Sequence, residues 1–400
     1  MSEASKAPEA AAAISTTLVH HPYSPPAGFE APQPAVHKAS TVFFKNTAAM
    51  RSRDWRHKTG YTYGLHGTPT TFTLEERIAT LEGGHHCVLA PSGLSAIALV
   101  DQALLSQGDE VLLPHNAYAP GRRLKTELLR RFGVVLRHYD PMDAAALPAL
   151  FTPRTRLLWA EAPGSVTMEF PDLRALLAAA RTAGVTSVLD NTWGAGVAFN
   201  GFDAGADVVM QALTKYPSGG GDVLMGSVVT RSDALAERLK MTHMDLGLGV
   251  GANDVEAVLR GLPTLALRYA AQDAAGRTLA QWLEHRPEVA RVLHPALPGS
   301  PGHQYWATHC NAAAGLFSVL FDARFSAAQV DTFVDTLRLF RIGYSWAGPM
   351  SLVVPYDMAA LRPEGAGDLQ GHLVRFSIGL EAVTDLQADL ERALRQAFGT

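Results

Sequence analysis

Asp190 and Lys215 stand 25 positions apart, and each follows a short apolar segment, TSVL and DVVMQALT respectively. Burial next to such a segment lowers the pKa of a lysine, and an uncharged amine can form a Schiff base with an aldehyde. A buried carboxylate needs a partner, and a protonated pyridine nitrogen is one such partner. Together the two residues indicate a pyridoxal phosphate site.

Each residue also has a simpler explanation. Asp190 could cap the following turn through Asn191 and Thr192, and Lys215 could be a solvated lysine at the end of a strand. The segment PSGGGD after Lys215 must make unusual backbone turns. Because neither residue decides the question alone, the cofactor interpretation depends on further groups.

The third group is the turn Ser92-Gly93-Leu94, which follows the apolar segment HHCVLAP and opens a helical pattern. Backbone N–H groups at a helix N-terminus attract a phosphate, and Gly93 would let the ligand approach closely. Ser-Gly at this place is also an ordinary helix cap. The occurrence of this turn, the Asp190 carboxylate and the Lys215 amine in this order along the chain favours the cofactor interpretation.

Alternating short strands and helices must position these groups, which predicts an α/β fold with a mostly parallel sheet. Ligands in such sheets collect at the carboxyl ends of the strands, where all three candidates fall. The predicted strands are 85–90, 109–114, 134–140, 156–162, 186–190, 207–213 and 225–230, with helices at 92–107 and 172–184.

The pattern changes after about residue 250. Residues 253–285 read as long helical sequence, and 316–322, 331–340, 351–357 and 373–380 predict a smaller C-terminal α/β domain. We therefore expect three segments: an N-terminal lead and arm at 1–60, a cofactor domain at 61–262, and a C-terminal domain with its linking helix at 263–400. Residues 1 to about 14, rich in Ala and Pro, predict a disordered lead.

Composition excludes several classes of function. The 400 residues carry a formal charge of −4, which gives no electrostatic basis for binding nucleic acid or an anionic membrane. The sequence has no apolar run long enough to span a bilayer, and because residues 1–13 lack the basic and apolar regions of a secretion signal, we expect no such signal. With Cys87 and Cys310 as the two cysteines, neither a disulfide framework nor a four-cysteine metal site can form. We expect a cytoplasmic protein that meets small molecules.

Three other patterns are interpreted as structural. GLGVGA at 247–252 fits the loose dinucleotide pattern, but no strand precedes it, so we predict a turn. The pairs His20-His21 and His85-His86 lack helically spaced partners, and no metal site is predicted. The arginines at 122, 123, 130 and 131 are interpreted as a solvated helix face.

Taken together, the motifs resemble the Cys/Met-metabolism family of pyridoxal phosphate enzymes, and most closely its bacterial cystathionine β-lyase branch. The resemblance runs from about residue 35 to the end and implies a fold type I transferase-like architecture. Its motifs are LEGGHHCVLAPSGLSA, HNAYAPG, EAPGSVTMEF, LDNTWGAGV, QALTKYPSGGGD, GYSWAG and LVRFSIGLE.

The resemblance implies roles for single residues. Lys215 would hold the cofactor as a Schiff base, Asp190 would pair with the pyridinium, and Tyr118 would stack on the ring near the reacting amine. The phosphate would be held by Thr214 and the turn Ser92, Gly93 and Leu94. Tyr63 would reach it from a neighbouring subunit, which implies at least a dimer, and the family suggests a homotetramer.

On the substrate side, Arg375 would clamp the α-carboxylate with its planar fork, although from the residues alone it reads as a surface strand arginine. Tyr344, Ser345 and Trp346 resemble the Tyr-Ser-Trp segment that lies against the substrate in β-lyases. Tyr118 by itself is more typical of packing.

The chain also departs from the family pattern. Leu65 replaces an arginine in Tyr-x-Arg-x-Gly, which removes a charge-assisted phosphate contact. Ala212 stands where relatives often have Ser. PSGGGD replaces Gly-His-Ser-Asp, and Pro349-Met350 replaces an aromatic-Glu pair.

The reaction that the resemblance implies is β-elimination from L-cystathionine, with Lys215 removing the α-proton and Lys215 or Tyr118 protonating the departing homocysteine thiolate. Pyruvate and ammonia are the other products. The alternatives are a γ-lyase or γ-synthase, a cysteine or cystine desulfhydrase, and a cofactor-binding regulatory protein with little catalysis. The departures at Leu65 and Ala212 are the hint for the last of these.

Overall fold

A computed structural model describes residues 31–358, 369 and 371–399, together with Thr16, Val19, Tyr23 and 26–28. The chain divides into two units, 1–35 and 36–400. The predicted lead at residues 1 to about 14 lies outside the described residues.

The larger sheet has seven strands, in the order β1-β7-β6-β5-β4-β2-β3. Its strands β2 to β6 run parallel, while β7 is antiparallel to both β6 and β1. The strands are β1 His86–Ala90, β2 Glu110–Pro114, β3 Val135–Tyr139, β4 Thr155–Glu161, β5 Thr186–Asp190, β6 Val208–Gln211 and β7 Gly226–Thr230. All seven predicted strands are confirmed.

Helices cover this sheet because their apolar faces match its buried Val and Leu side chains. A short helix, α1 Thr47–Arg51, precedes them and has no buried residue. The covering helices are α2 Pro69–Glu82, α3 Gly93–Leu104, α4 Ala119–Arg123, α5 Leu173–Thr182, α6 Gly201–Ala204, α7 Asp233–Leu246 and α8 Ala252–Gly261. The start of α3 is set by Ser92, whose Oγ accepts a hydrogen bond from Ser95 N at 3.0 Å. No helix among the described residues is long and apolar enough to cross a bilayer.

The sheet's topology gathers the candidate residues at one edge. Since β1 and β6 are both antiparallel to β7, they point the same way as β2, β4 and β5. The carboxyl end of β1 leads into the turn before α3, and that of β2 leads towards Tyr118. The strands β5 and β6 end at Asp190 and shortly before Lys215. The edge predicted to bind the cofactor is therefore one continuous rim.

A second, mostly antiparallel sheet follows, in the order β10-β11-β12-β9-β8. Its strands are β8 Val289–Leu293, β9 Leu316–Phe321, β10 Arg341–Ile342, β11 Leu352–Asp357 and β12 His372–Ser377. It packs with helices α9 Leu265–Glu284, α10 His303–His309, α11 Ala327–Thr336 and α12 Val383–Phe398. Phe317, Phe333 and Phe376 form the centre of this smaller core.

The long helical segment predicted at 253–285 is broken into two helices. Pro263 lies in a single 3-10 turn, Leu262–Thr264, between α8 and α9, because proline cannot donate the backbone hydrogen bond that a continuous helix requires. The two sheets agree with the predicted large, mostly parallel layer and smaller C-terminal α/β part. The domain boundaries at 60 and 262 stay predictions.

Candidate active site

A cavity of about 700 Å³ opens at the carboxyl rim of the large sheet and is closed on its far side by the C-terminal sheet. It brings together every predicted site residue except Tyr63. These lining residues are Ser92, Gly93, Leu94, Tyr118, Asp190, Thr214, Lys215, Tyr344, Ser345, Trp346 and Arg375.

Lys215 projects from the segment after β6 towards the C-terminal wall. Its Nζ donates a hydrogen bond to Ser345 Oγ at 2.6 Å and lies 5.3 Å from the centre of the Trp346 ring. Burial and, after it, the charge of Arg375 lower the pKa of Lys215 to about 8, although the charge of Asp190 raises it. The amine is thus more easily deprotonated than that of an ordinary lysine.

Asp190 ends β5, where its Oδ1 accepts hydrogen bonds from Thr192 N at 3.0 Å and Thr192 Oγ1 at 2.5 Å. The same Thr192 oxygen accepts from Ala212 N at 2.9 Å, which ties the ends of β5 and β6 together. Burial nevertheless raises the pKa of Asp190. Asp190 therefore does cap the turn through Thr192, and its partly buried carboxylate also lines the cavity.

The phosphate end is built around α3. Gly93 lies so close to Ala212 that a Cβ on it would stand 2.7 Å from the Ala212 Cβ, so glycine is required there. The first N–H groups of α3 have no carbonyl partner within the helix and are available to an anion. Thr214 is engaged elsewhere, because its hydroxyl donates to Met225 O at 3.1 Å. Its predicted phosphate contact requires that bond to open.

Tyr118 lines the cavity at the start of α4, and its ring is 44% exposed. Its backbone N–H donates to Glu161 Oε2 at 2.8 Å. Glu161 ends β4 and was not among the predicted site residues, although it begins the quoted motif EAPGSVTMEF. Its position at a strand end was the signal that could have found it.

Arg375 lies on β12 and is 8% exposed, so the surface-arginine alternative is wrong. One terminal nitrogen donates to Ser345 O at 3.2 Å, and its guanidinium carbon lies 5.5 Å from the ring centre of Tyr356. Burial lowers its pKa from the usual value, although no accessible pH would deprotonate it. Tyr356 lines the cavity and was missed, because β11 reads only as an apolar strand.

Trp346 is held over Lys215 by aromatic packing. Its ring meets Tyr216 edge to face, with the centroids 5.6 Å apart, and Tyr216 packs on Tyr269 at 4.5 Å. The Tyr216 hydroxyl accepts from Gly315 N at 2.9 Å. In contrast, Tyr344 is 82% exposed at the cavity mouth.

Tyr63 lies outside this cavity. It forms an isolated antiparallel bridge with Thr41, and its side chain is half exposed. Leu65, two residues later, lines a second cavity of about 680 Å³ beside α2 and α7. The predicted contact of Tyr63 with a neighbouring subunit's cofactor stays a prediction.

The residues present fit pyridoxal phosphate. A buried carboxylate faces the cavity at one end, open helix N–H groups lie at the other, and an amine of lowered pKa stands between the two walls. Asp190 would hold the ring nitrogen, Lys215 the aldehyde carbon, and the turn Ser92-Gly93-Leu94 the phosphate.

Comparison with known proteins agrees with this chemistry. Residues 15–395 match the family model described as Cys/Met metabolism PLP-dependent enzyme. The chain is 39% identical over 392 residues to cystathionine beta-lyase of Bordetella avium, with 95% of this chain and 97% of that protein covered. It is 37% identical over 362 residues to cystathionine beta-lyase MetC of Escherichia coli K12, with 89% and 91% covered.

Among solved structures, the fold is similar to cystathionine gamma synthase from Xanthomonas oryzae pv. oryzae in complex with cystathionine. The TM-score is 0.85 and the identity 31%, with 92% of this chain and 94% of that one covered. The predicted fold class is thereby confirmed, and pyridoxal phosphate is the cofactor. This chain belongs to the Cys/Met metabolism family of PLP-dependent enzymes.

Proposed function

We propose that this enzyme cleaves the Cβ–S bond of L-cystathionine and releases homocysteine, pyruvate and ammonia. The observation that supports it most is the segment Tyr344-Ser345-Trp346, in which Ser345 and Trp346 lie directly against Lys215 Nζ and Tyr344 lies at the cavity mouth. The beta-lyase names of relatives at 37–39% identity support the same reaction.

Bound pyridoxal phosphate supplies an aldehyde for the substrate amine and a protonated ring that takes up the electrons of a broken Cα–H bond. In our proposal Asp190 keeps a proton on the ring nitrogen. Lys215, once displaced from the aldehyde, removes the Cα proton as a neutral amine, a role that its lowered pKa favours.

Arg375 would bind the substrate α-carboxylate with its two-pronged guanidinium. Its burial between Ser345 and Tyr356 keeps water from competing for the same contact. Protonation of the departing thiolate would come from Lys215 or from the Tyr118 hydroxyl. Burial raises the pKa of Tyr118, so this phenol keeps its proton at neutral pH and is available as a general acid.

Product analysis tests the proposal. Purified protein loaded with cofactor would be incubated separately with cystathionine, cystine and methionine, and the keto acids identified. β-Cleavage of cystathionine gives pyruvate with homocysteine, whereas γ-cleavage gives 2-oxobutyrate with cysteine. A predominance of 2-oxobutyrate would replace our proposal with a γ-lyase, and turnover of cystine far above cystathionine would indicate a desulfhydrase.

The regulatory alternative predicts bound cofactor with negligible turnover of every thioether. The replacement of arginine by Leu65 is the feature that favours it, since a looser cofactor would suit a sensor. Against it stand Lys215, Asp190 and Arg375 around one cavity.

We also infer an assembly of at least two chains, with a homotetramer expected. Tyr63 and Leu65 do not line the cavity of their own chain, which supports a role at the cavity of a neighbouring chain. Sedimentation of the purified protein measures this directly, and a monomer that retains full cofactor would contradict it.

A reducing, cytoplasmic location is part of the same proposal. Both cysteines are free thiols, Cys87 buried and Cys310 partly buried. Fractionation of the source cells would test it.

A further inference from the structure

Glu161 is a second partly buried carboxylate beside Asp190, and the proposed reaction gives it no task. The two residues are paired partners at the ends of β4 and β5. Both line the cavity. Two ionised carboxylates this close repel each other in a buried site, so their shared state of charge needs an explanation.

A buried cation close to the two carboxylates is already paired with another residue. Lys125 is 1% exposed, and its Nζ lies 2.7 Å from Asp101 Oδ2. Asp101 also accepts from Trp159 Nε1 at 2.8 Å. A small cavity of about 20 Å³ separates Lys125 from Glu161 and Asp190. The charges of Lys125 and Lys215 lower the pKa of Asp190, so the cations of this site favour the ionised form of Asp190.

Hydrogen bonds decide which carboxylate is ionised. Asp190 accepts two, both from Thr192, and these favour its charged form. Among the described residues, the carboxylate of Glu161 accepts one, from Tyr118 N at 2.8 Å. Burial, and after it the charge of Asp190, raises the pKa of Glu161 well above its usual range. The proton therefore belongs on Glu161.

The hydrogen bond between Tyr118 N and Glu161 gives the protonated Glu161 a structural role. The Tyr118 side chain makes no capping bond of its own at the start of α4. Its backbone is instead fixed to the end of β4, 43 residues away along the chain. Glu161 thus ties the N–H of Tyr118 to the sheet, while the Tyr118 carbonyl accepts from Arg122 N at 3.1 Å within α4.

We propose that Glu161 is a positioning residue: as a neutral carboxylic acid it anchors the backbone of Tyr118 beside the cofactor ring, and it leaves Asp190 as the ionised carboxylate there. This inference depends on the family's cofactor occupying the cavity, as the proposed function does. The titratable groups that face Glu161 are Tyr118, Lys125, Tyr139 and Asp190.

A matched pair of variants tests it. Glu161→Gln keeps an acceptor for Tyr118 N and is the uncharged analogue of the neutral acid, whereas Glu161→Ala removes the anchor. We expect cofactor to bind apo E161Q within about twofold of the wild-type dissociation constant, and apo E161A about tenfold more weakly. Titration of the bound cofactor's visible absorbance against pH should give the same midpoint in E161Q and wild type.

Two outcomes overturn the proposal. A midpoint lowered by about one pH unit in E161Q would mean that a negative charge had been removed, so Glu161 was ionised. Wild-type cofactor affinity in E161A would mean that Tyr118 needs no anchor. If E161A fails to fold, as judged by the melting of the apoprotein, the E161Q midpoint decides alone. Neither measurement uses substrate, so failure to cleave cystathionine would count against the proposed function only.

Discussion

The two walls of the cavity are held in different ways. On the cofactor wall, consecutive hydrogen bonds join strand ends: Ala212 N donates to Thr192 Oγ1, which donates to Asp190. On the opposite wall, Ser345 and Ala347 lie outside any strand and adopt positive φ angles of 97° and 68°. Such conformations are costly for residues other than glycine.

The difference indicates where each property of the enzyme is encoded. The cofactor wall is fixed by sheet geometry, so its chemistry should tolerate little change. The other wall depends on a strained segment and on side chains such as Tyr344, which is exposed at the mouth. We therefore expect substitutions on the first wall to abolish turnover and those on the second to alter substrate binding.

Lys215→Ala should have the largest effect, because it removes both the covalent hold on the cofactor and the base. Turnover of cystathionine should fall by about a thousandfold or more. Pyruvate release, followed with a coupled assay, measures the loss, and the absorbance of the bound cofactor reports the missing covalent link.

Lys45→Ala serves as the matched control for this variant, since Lys45 is exposed and distant from the cavity residues in sequence. It should behave as wild type. Retention of both the covalent cofactor spectrum and pyruvate release in K215A would show that another amine does this work.

Arg375 tests the second wall. Arg375→Lys keeps a positive charge but loses the fork, and we expect the KM for cystathionine to rise about tenfold with a smaller change in kcat. Arg375→Ala should lower kcat/KM further, by about 10- to 100-fold. Arg341→Lys, on the exposed edge strand β10, is the control. A fall in kcat at unchanged KM would mean that Arg375 contributes to turnover, as the residues of the cofactor wall do, and not to substrate binding.

Much of the first wall could be predicted from sequence. Short apolar runs mark β5 and β6, and a residue that follows such a run must lie at the carboxyl rim, as Asp190 and Lys215 do. The helix cap at Ser92 is an equally local signal. Local patterns sufficed because each of these positions is set by its own element.

The second wall could not be predicted in this way. The contact between Lys215 and Ser345 joins residues 130 positions apart. Arg375 is buried only because β11 and the segment at 344–347 pack around it, and a lone arginine in a strand does not carry that information. The resemblance to the family supplied both residues, and the end of a predicted strand marks Glu161, but Tyr356 needed the folded chain.

The two walls act on the pKa of Lys215 in opposite directions, because Arg375 lowers it and Asp190 raises it. With a pKa of about 8, about one amine in ten is uncharged at pH 7, compared with roughly one in three thousand at the ordinary value of 10.5. The rate at which apoprotein forms its covalent link to added cofactor should therefore rise with pH, with a midpoint near 8.

Arg375→Gln is the control for this titration. Removing that positive charge should shift the midpoint upward, yet keep it below 10.5 because burial is the larger cause. Absorbance followed after rapid mixing between pH 6.5 and 9.5 gives the rates. A midpoint that moves downward in this variant would show that the charge of Arg375 does not lower the pKa of Lys215.

The smallest effect is expected at Leu65, where the phosphate end of the first wall is predicted to depend on a neighbouring chain. Leu65→Arg would restore a charged partner for the phosphate, and loss of cofactor on dialysis should slow by about threefold to tenfold. Leu65→Gln, which adds polarity without charge, should change it little. Sedimentation must show the same assembly in both variants. Unchanged or faster loss of cofactor in the arginine variant would mean that another group already neutralises the phosphate. The phosphate site would then not need the segment around Leu65.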